Sequence, residues 1–306
     1  MIRDDLKSPA FGLSDLLMLS AVVMWGINFS LVKIGLRELS PGGFNGLRMF
    51  VTAAILLGLL GLTKRKFGGL VRGDLGRLAL LGVMGNAVYQ VLFIGAMSRT
   101  TASNTSLILA LSPIFVAFLS AILGIEKIHW AAWLGILISF SGLYLILART
   151  NGGFSLASDG VQGDIMIFVG TILWAGYTVF SKSFLERLSP LQFSAATVAF
   201  GAAAYLPLTV GDIVRIPWSR VSFKAWGALV VSALFGLVIG YLIWYTSVQR
   251  VGNARTAVYS NLTPAFTAFF AWMLLGEKME AVQLVGAAVI LGGVYLTRAG
   301  YRFFIR

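Results

Sequence analysis

The sequence predicts an all-α integral membrane protein of ten transmembrane helices, built as two five-helix repeats of inverted topology. Three observations carry that prediction. The 306 residues are 58% hydrophobic and 12% charged, with a mean hydropathy of +0.86. Soluble domains are about 45–50% apolar and about 25% charged, so lipid is the solvent that accommodates this much apolar surface. The apolar residues gather in runs of about 20, the length that crosses about 30 Å of hydrocarbon. Finally, the chain repeats itself.

The repeat is clearest in residues 254–296, an apolar helix, a charged turn at Gly276-Glu277-Lys278 and a second apolar helix. Residues 103–145 follow the same plan. Pro113 matches Pro264, Glu126 matches Glu277, Gly135 matches Gly286, Gly142 matches Gly293 and Tyr144 matches Tyr295, all 151 residues apart and without a gap. Shared hydrophobic composition does not produce five matches at one spacing. The start of each half matches too. Asp15 pairs with Asp164, Trp25 with Trp174, Lys33 with Lys182, and Leu39-Ser40-Pro41 with Leu188-Ser189-Pro190, 149 residues apart.

Taken in order, the expected spans are 14–34, 44–62, 77–97, 103–123 and 129–148, then 164–183, 191–210, 225–246, 254–274 and 282–299. The longest break, residues 149–163, is polar and rich in Gly and Ser, which marks a linker. The organisation is therefore a first repeat at 1–150, a linker at 151–163 and a second repeat at 164–306. Five spans is an odd number, so the second copy enters the membrane from the opposite side. The N-terminal MIRDDLKSPAFG carries both charge signs and lacks a cleavage site after a short apolar run, so it is expected to be a retained tail.

Lys and Arg set the orientation. Fifteen fall on the side shared by both termini, the cluster Lys64-Arg65-Lys66 among them, and nine on the other. The positive-inside rule puts both termini in the cytoplasm, with the inner membrane as the location. The net charge of +12 is accounted for by these basic loops and by anionic lipid. No aromatic-basic motif accompanies it, so nucleic acid is not an expected partner. Zero cysteines exclude disulfides, thiol catalysis and cysteine metal sites. The lone His129, beside Trp130, reads as interfacial. No cofactor is expected.

The duplicated stretch GEKMEAVQLVGAAVILGGVYL after an in-helix proline, spread over ten spans, resembles the drug/metabolite transporter superfamily, and within it the EamA family. The resemblance covers nearly the whole chain, although the first half reads GIEK where the second reads LGEK. It implies a ten-helix inverted-repeat transporter, often a metabolite exporter. It also implies a central cavity lined by the first, third, fourth, sixth, eighth and ninth spans.

Polar and aromatic residues inside spans carry the rest, because hydrocarbon penalises unsatisfied polar groups. Trp25 and Asn28 share a face of the first span, and Trp174 and Tyr177 are their repeat counterparts. They are candidate substrate contacts, with helix–helix adhesion or interfacial anchoring as the competing role. In the third span Asn86, Tyr89, Gln90 and Phe93 cover one broad face. Tyr241 matches Gln90 and Trp244 matches Phe93 in the eighth. Rings of this kind stack on flat ligands or fill an apolar pocket, and core packing is the alternative. In the ninth span Thr256, Tyr259 and Thr263 share a face; Thr105 and Ser112 match the two threonines. Their hydroxyls either meet substrate or satisfy carbonyls freed by the prolines. Pro113 and Pro264 are expected to kink their helices. Pro207 stands opposite Gly58 and breaks the symmetry without an explanation in the sequence.

Charges are scarce at depth. Asp15 and Asp164 are expected at span starts and Glu126 and Glu277 in turns, which favours gradient-driven export or exchange over proton antiport. Lys33 and Lys182 are expected to snorkel. Arg48 and Arg255 are the charges placed to meet an anionic substrate group, with snorkelling as the competing role. Small residues such as the pairs Gly236/Gly240 and Gly42/Gly46 read as packing surfaces. A membrane enzyme is disfavoured: there is no HExxH, no intramembrane Asp pair and no Cys. No P-loop serves ATP. The expected function is a secondary transporter exporting a small organic metabolite, an amino acid or similar zwitterion, by a monomer or weak homo-oligomer. A proton-coupled antiporter and a uniporter or channel-like protein are the alternatives.

Overall fold

The computed structural model describes residues 13–63, 70–124, 130–149 and 158–304, and among them every regular element is a helix. The first half comprises α1 (Leu13–Leu36), α2 (Pro41–Leu62), α3 (Asp74–Gly82), a π-helical stretch (Val83–Val88), α4 (Tyr89–Arg99), α5 (Ala102–Leu109), α6 (Ser112–Ile122) and α7 (Trp130–Arg149). The second comprises α8 (Asp159–Leu185), α9 (Pro190–Val214), α10 (Phe223–Val231), a π-helical stretch (Ser232–Ile239), α11 (Gly240–Ser260), α12 (Thr263–Leu275) and α13 (Ala281–Phe304). The order of the first half recurs in the second, down to the π-helical stretch in the third position.

Local sequence sets the starts. Ser40 and Ser189 cap α2 and α9, each followed by a proline that needs no donor there. Gln192 completes a capping box with Ser189. Ser158, Thr101 and Ser222 cap α8, α5 and α10 in the same way.

Seven stretches among the described residues are long and apolar enough to cross a membrane: Leu16–Leu36, Pro41–Leu62, Asp74–Arg99, Ala102–Leu119, Asp159–Leu185, Pro190–Val214 and Phe223–Arg250. Three shorter apolar stretches, Trp133–Leu145, Thr263–Leu275 and Ala281–Leu296, fall where further spans were expected. Their outward faces expose large apolar side chains such as Leu208, Val210, Val214 and Trp272, which suits a lipid-facing surface.

Two expected spans differ in form. The fourth is broken into α5 and α6 at Ala110 and Leu111, and the break in the ninth falls at Asn261 and Leu262, between α11 and α12. Pro113 and Pro264 therefore sit in the first turn of a new helix rather than inside a kinked one. A helix start has unused donors anyway, so the missing N–H leaves no hydrogen bond unmade. The hydrogen bonds around the breaks repeat: Ile114 N–H and Phe115 N–H both donate to Leu111, as Ala265 N–H and Phe266 N–H do to Leu262. The boundary expected between the eighth and ninth spans lies within α11. There Gly252 stands where the first half has Thr101, so the side chain that caps α5 has no counterpart.

The halves interlock. Helix α1 packs on α10, α11 and α12 of the second half, and α8 packs on α4, α5 and α6 of the first. Helix α2 pairs with α9, and α7 with α13. At α7–α13 the contacts mirror one another. A Cβ on Gly142 would lie 2.8 Å from the Gly286 carbonyl oxygen, and one on Gly293 2.5 Å from that of Gly135. Ser139 Oγ donates to the Ile290 carbonyl across this seam at 3.1 Å.

Candidate functional site

Between the halves lies a cavity of about 100 Å³. Elements from both halves line it: α1, α4, α5, α6, α8, α11 and α12, the second π-helical stretch and, through Arg48, α2. All of these except α2 belong to the spans that the resemblance implied, and α2 is an addition.

The wall is aromatic. Trp25 sits 5.3 Å from Trp244 between ring centroids, and Trp174 lies 5.4 Å from Tyr89, 5.8 Å from Tyr241 and 6.0 Å from Trp244. Such tilted contacts hold rings rigidly without a face-to-face sandwich. Trp25 is fixed further by its Nε1–H, which donates to the Gly236 carbonyl at 3.0 Å. Gly236 and Gly240 make that placement possible. A Cβ at Gly236 would stand 2.5 Å from Asn28 Oδ1, and one at Gly240 2.6 Å from Trp25 Nε1. This glycine pair does pack helices, and what it admits is the cavity face of α1.

The polar groups form a chain. Arg48 is fully buried and donates through its two terminal nitrogens to Gln90 Oε1 at 2.6 Å and Ser232 Oγ at 3.1 Å. Ser232 Oγ in turn donates to Asn28 Oδ1 at 2.6 Å. The guanidinium lies 5.8 Å from the Phe44 ring centroid and 5.7 Å from that of Phe93. Among the described residues no carboxylate is within 4 Å of it. Both acceptors are neutral. A buried charge without a counter-ion costs several kcal/mol even after relaxation, so its retention at depth points to a role. Snorkelling is not that role, since Arg48 has no exposed surface.

Of the residues singled out in the sequence, Trp25, Asn28, Tyr89, Gln90, Phe93, Ser112, Trp174, Tyr241, Trp244 and Thr263 meet at this cavity. Asn86 and Tyr177 do not line it. Asn86 Nδ2 donates to Tyr177 Oη at 3.1 Å, and Tyr177 shares a 2.7 Å hydrogen bond with Thr197 of α9. This buried set joins the first π-helical stretch to α8 and α9. Tyr259 and Thr256 also lie away from the lining. The side chains of Arg255 and Asp15, the residues Glu126 and His129, and the cluster Lys64-Arg65-Lys66 lie outside those the structure describes.

Three placements were not foreseen. For Arg48 the sequence leaves snorkelling and substrate contact both open, and the structure encloses it. Asp164 is not at a helix start: it lies in the second turn of α8, buried, and accepts from Asn104 Nδ2 at 3.4 Å. Asn104 Oδ1 accepts from Gln283 Nε2 at 2.7 Å, which ties α8 to α5 and α13. Glu277 is not idle in its turn. It accepts from Ala102 N–H, Ser103 N–H and Ser103 Oγ, closing the start of α5 from the other half. With Lys33, Arg37 and Ser98 it also borders a second, more open pocket of about 430 Å³ at the helix ends.

The sequence profile of the EamA-like transporter family matches residues 12–148 and again 161–299. The chain belongs to the EamA-like transporter family. Its similarity to curated proteins runs nearly end to end. It is 30% identical over 290 residues to a protein from Archaeoglobus fulgidus named as an uncharacterized transporter, covering 93% of this chain and 96% of that one. It is 27% identical to the uncharacterized transporter YyaM of Bacillus subtilis, covering 93% of each. A third relative, at 26% identity and 90% coverage of each chain, is the "Probable terminal-alkyne amino-acid exporter" of Streptantibioticus cattleyicolor. A solved crystal structure shares the fold, with a TM-score of 0.70 at 18% identity, covering 96% of this chain and 99% of that one. This EamA-like protein is thus a multi-pass membrane transporter of the two-repeat type, working on small molecules in a lipid bilayer.

Proposed function

We propose that this EamA-like protein is a secondary, non-ATP carrier that exports a small organic metabolite from the cytoplasm, an amino acid or similar amphipathic compound. The repeats at 1–150 and 164–306, joined by 151–163, form ten spans of inverted topology, and both termini face the cytoplasm of the plasma membrane. The cavity between the halves exposes substrate to one side at a time. The observation that carries this reading is the cavity itself: an aromatic wall with a short polar chain, built from both halves and placed where rocking of one against the other gates it. The breaks before Pro113 and Pro264 adjoin it through Ala110, Ser112, Ser260 and Thr263, so bending there changes its walls directly. The relative named as an amino-acid exporter supports the substrate class.

The test is counterflow in proteoliposomes against amino acids, organic acids, nucleosides and sugars, with and without a pH gradient. Saturable exchange of one class supports the reading, and exchange of none refutes it. A second reading, a proton-coupled antiporter, is favoured by buried Asp164. Carboxylates at membrane depth mark proton relays. Stimulation by the gradient that disappears in Asp164→Asn selects it.

A further inference from the structure

We propose that Arg48 is the anion-recognition residue of the cavity, and that the transported class is a small carboxylate whose apolar or aromatic body lies against Trp25, Trp174 and Trp244. The inference rests on the transporter reading and deepens it: the carboxylate is the recognised head, and an ammonium group is not required.

Four features of the cavity lead there. First, its charge is a buried cation without a carboxylate partner among the described residues. A ligand bearing one negative charge neutralises it; a cationic ligand doubles the problem. Second, the unmet hydrogen-bonding capacity on the lining residues is chiefly that of donors. Arg48 Nε and Trp244 Nε1 are buried and have no protein partner, and both groups donate only. The hydroxyl of Thr263, also on the wall, is buried and unpartnered as well. Donors left bare in a low-dielectric site call for an acceptor, and a carboxylate supplies two oxygens in the plane a guanidinium fits.

Third, the polar chain holds Arg48 in place without neutralising it. Gln90 and Ser232 occupy its terminal nitrogens, and Phe44 and Phe93 flank its guanidinium. The side chain is already ordered, and because it has no exposed surface, a carboxylate reaches it by displacing Gln90 or Ser232 from a terminal nitrogen rather than by ordering a loose side chain. Fourth, size and walls fit the rest of such a molecule. A dry cavity of about 150 Å³ in another protein takes up benzene. The present 100 Å³, walled by indole and phenol rings, is smaller than that: it suits a short branched chain as it stands, and a ring once the walls part slightly.

The test uses the full-length protein in detergent or nanodiscs, with quenching of its own tryptophans as the signal, since three of them line the cavity. The probes are phenylacetate, its neutral isostere phenylacetamide, the cation phenethylamine and the zwitterion phenylalanine. Phenylacetate is expected to bind about 10- to 100-fold more tightly than phenylacetamide, the ratio one charge-assisted pair supplies, and phenethylamine not measurably. Phenylalanine binds no more than a few-fold differently from phenylacetate. In Arg48→Met the acid–amide ratio falls to near one, while Arg48→Lys keeps the preference with weaker binding. The wild-type ratios need no variant to fold, so they test the proposal alone. It is overturned if phenylacetamide or phenethylamine binds as well as phenylacetate, if phenylalanine binds and phenylacetate does not, or if Arg48→Met keeps the ratio. It is overturned equally if none of the four binds. Counterflow of some other solute then leaves the transporter reading standing, whereas absence of all exchange removes that reading as well.

Discussion

Replacing Gly293 by alanine tests how the repeats meet. The added Cβ lies 2.5 Å from the Gly135 carbonyl oxygen and 2.6 Å from the Ser139 amide nitrogen, where ordinary contact begins at 3.4 Å. The Ser139 hydroxyl lies in the way too; it could turn aside, but the two backbone atoms cannot, so α7 and α13 must separate by most of the difference. The Ser139–Ile290 hydrogen bond, at 3.1 Å, is stretched in the process. Overpacking costs about 1–3 kcal/mol and the hydrogen bond adds about 1 kcal/mol. Alanine recovers about 1 kcal/mol of helix propensity over glycine. The net loss is about 1–3 kcal/mol, and at roughly 2–4 °C per kcal/mol the melting temperature should fall by about 5 °C. The assay is thermal unfolding of detergent-purified protein followed by tryptophan fluorescence. Gly292→Ala is the control, because a Cβ there meets nothing within 4 Å, and it should melt at or above the wild-type temperature. Gly142→Ala, the mirror position, should fall like Gly293→Ala. If Gly293→Ala melts with Gly292→Ala, the close glycine seam is not what joins the halves.

Trp174→Ala removes the ring that touches Tyr89, Tyr177, Tyr241 and Trp244; counterflow should drop at least about tenfold, a loss of about 1.4 kcal/mol of binding or transition-state stabilisation. Unchanged exchange in a folded Trp174→Ala protein takes that residue off the substrate path. Glu277→Ala strips the acceptor from the start of α5 and should destabilise by about 1–2 kcal/mol, as loss of a helix cap does, read as a lower melting temperature. Glu38, in the connection after α1, accepts from the hydroxyl and then the backbone N–H of Ser222, both at 2.6 Å, which hold its pKa below the ordinary carboxylate value. Its contribution is complete above the unfolded-state pKa and is lost as pH falls through the lowered folded one. Melting temperature should therefore decline more steeply in the wild type than in Glu38→Gln as pH drops below about 5; parallel curves would remove Glu38 from the account.

The duplication was legible because matched residues at offsets of 149 and 151 survive in one-dimensional order. Most of the aromatic wall was legible too, since Trp25, Tyr89, Trp174, Tyr241 and Trp244 are rings inside apolar runs. The misplacement of Asn86 has a definite cause. Grouping it with Tyr89, Gln90 and Phe93 assumes 3.6 residues per turn throughout, but Asn86 lies in the π-helical stretch Val83–Val88. The wider turn slips the phase, and Asn86 meets Tyr177 instead. Arg48 was ambiguous because an arginine 8 residues into a helix reads the same whether it snorkels or is enclosed; only its position against Gln90 and Ser232, from two other elements, separates the cases. Glu277 and its partners at Ala102 and Ser103 are more than 170 residues apart, beyond any local pattern.

The paired π-helical stretches carry a consequence for how this chain tolerates insertion and deletion. A wider turn of this kind holds one residue more than the α-helical turn it replaces, so the roughly 100° that an extra residue would add is taken up inside it. Trimming a single residue from Val83–Val88, with return to α-helix, should leave Tyr89, Gln90 and Phe93 facing the lumen. The same cut in Ser232–Ile239 should leave Tyr241 and Trp244 on their wall. Single-codon losses there are therefore the ones this chain should absorb, whereas the same loss in a plain α-helical stretch would turn every later side chain to a new bearing.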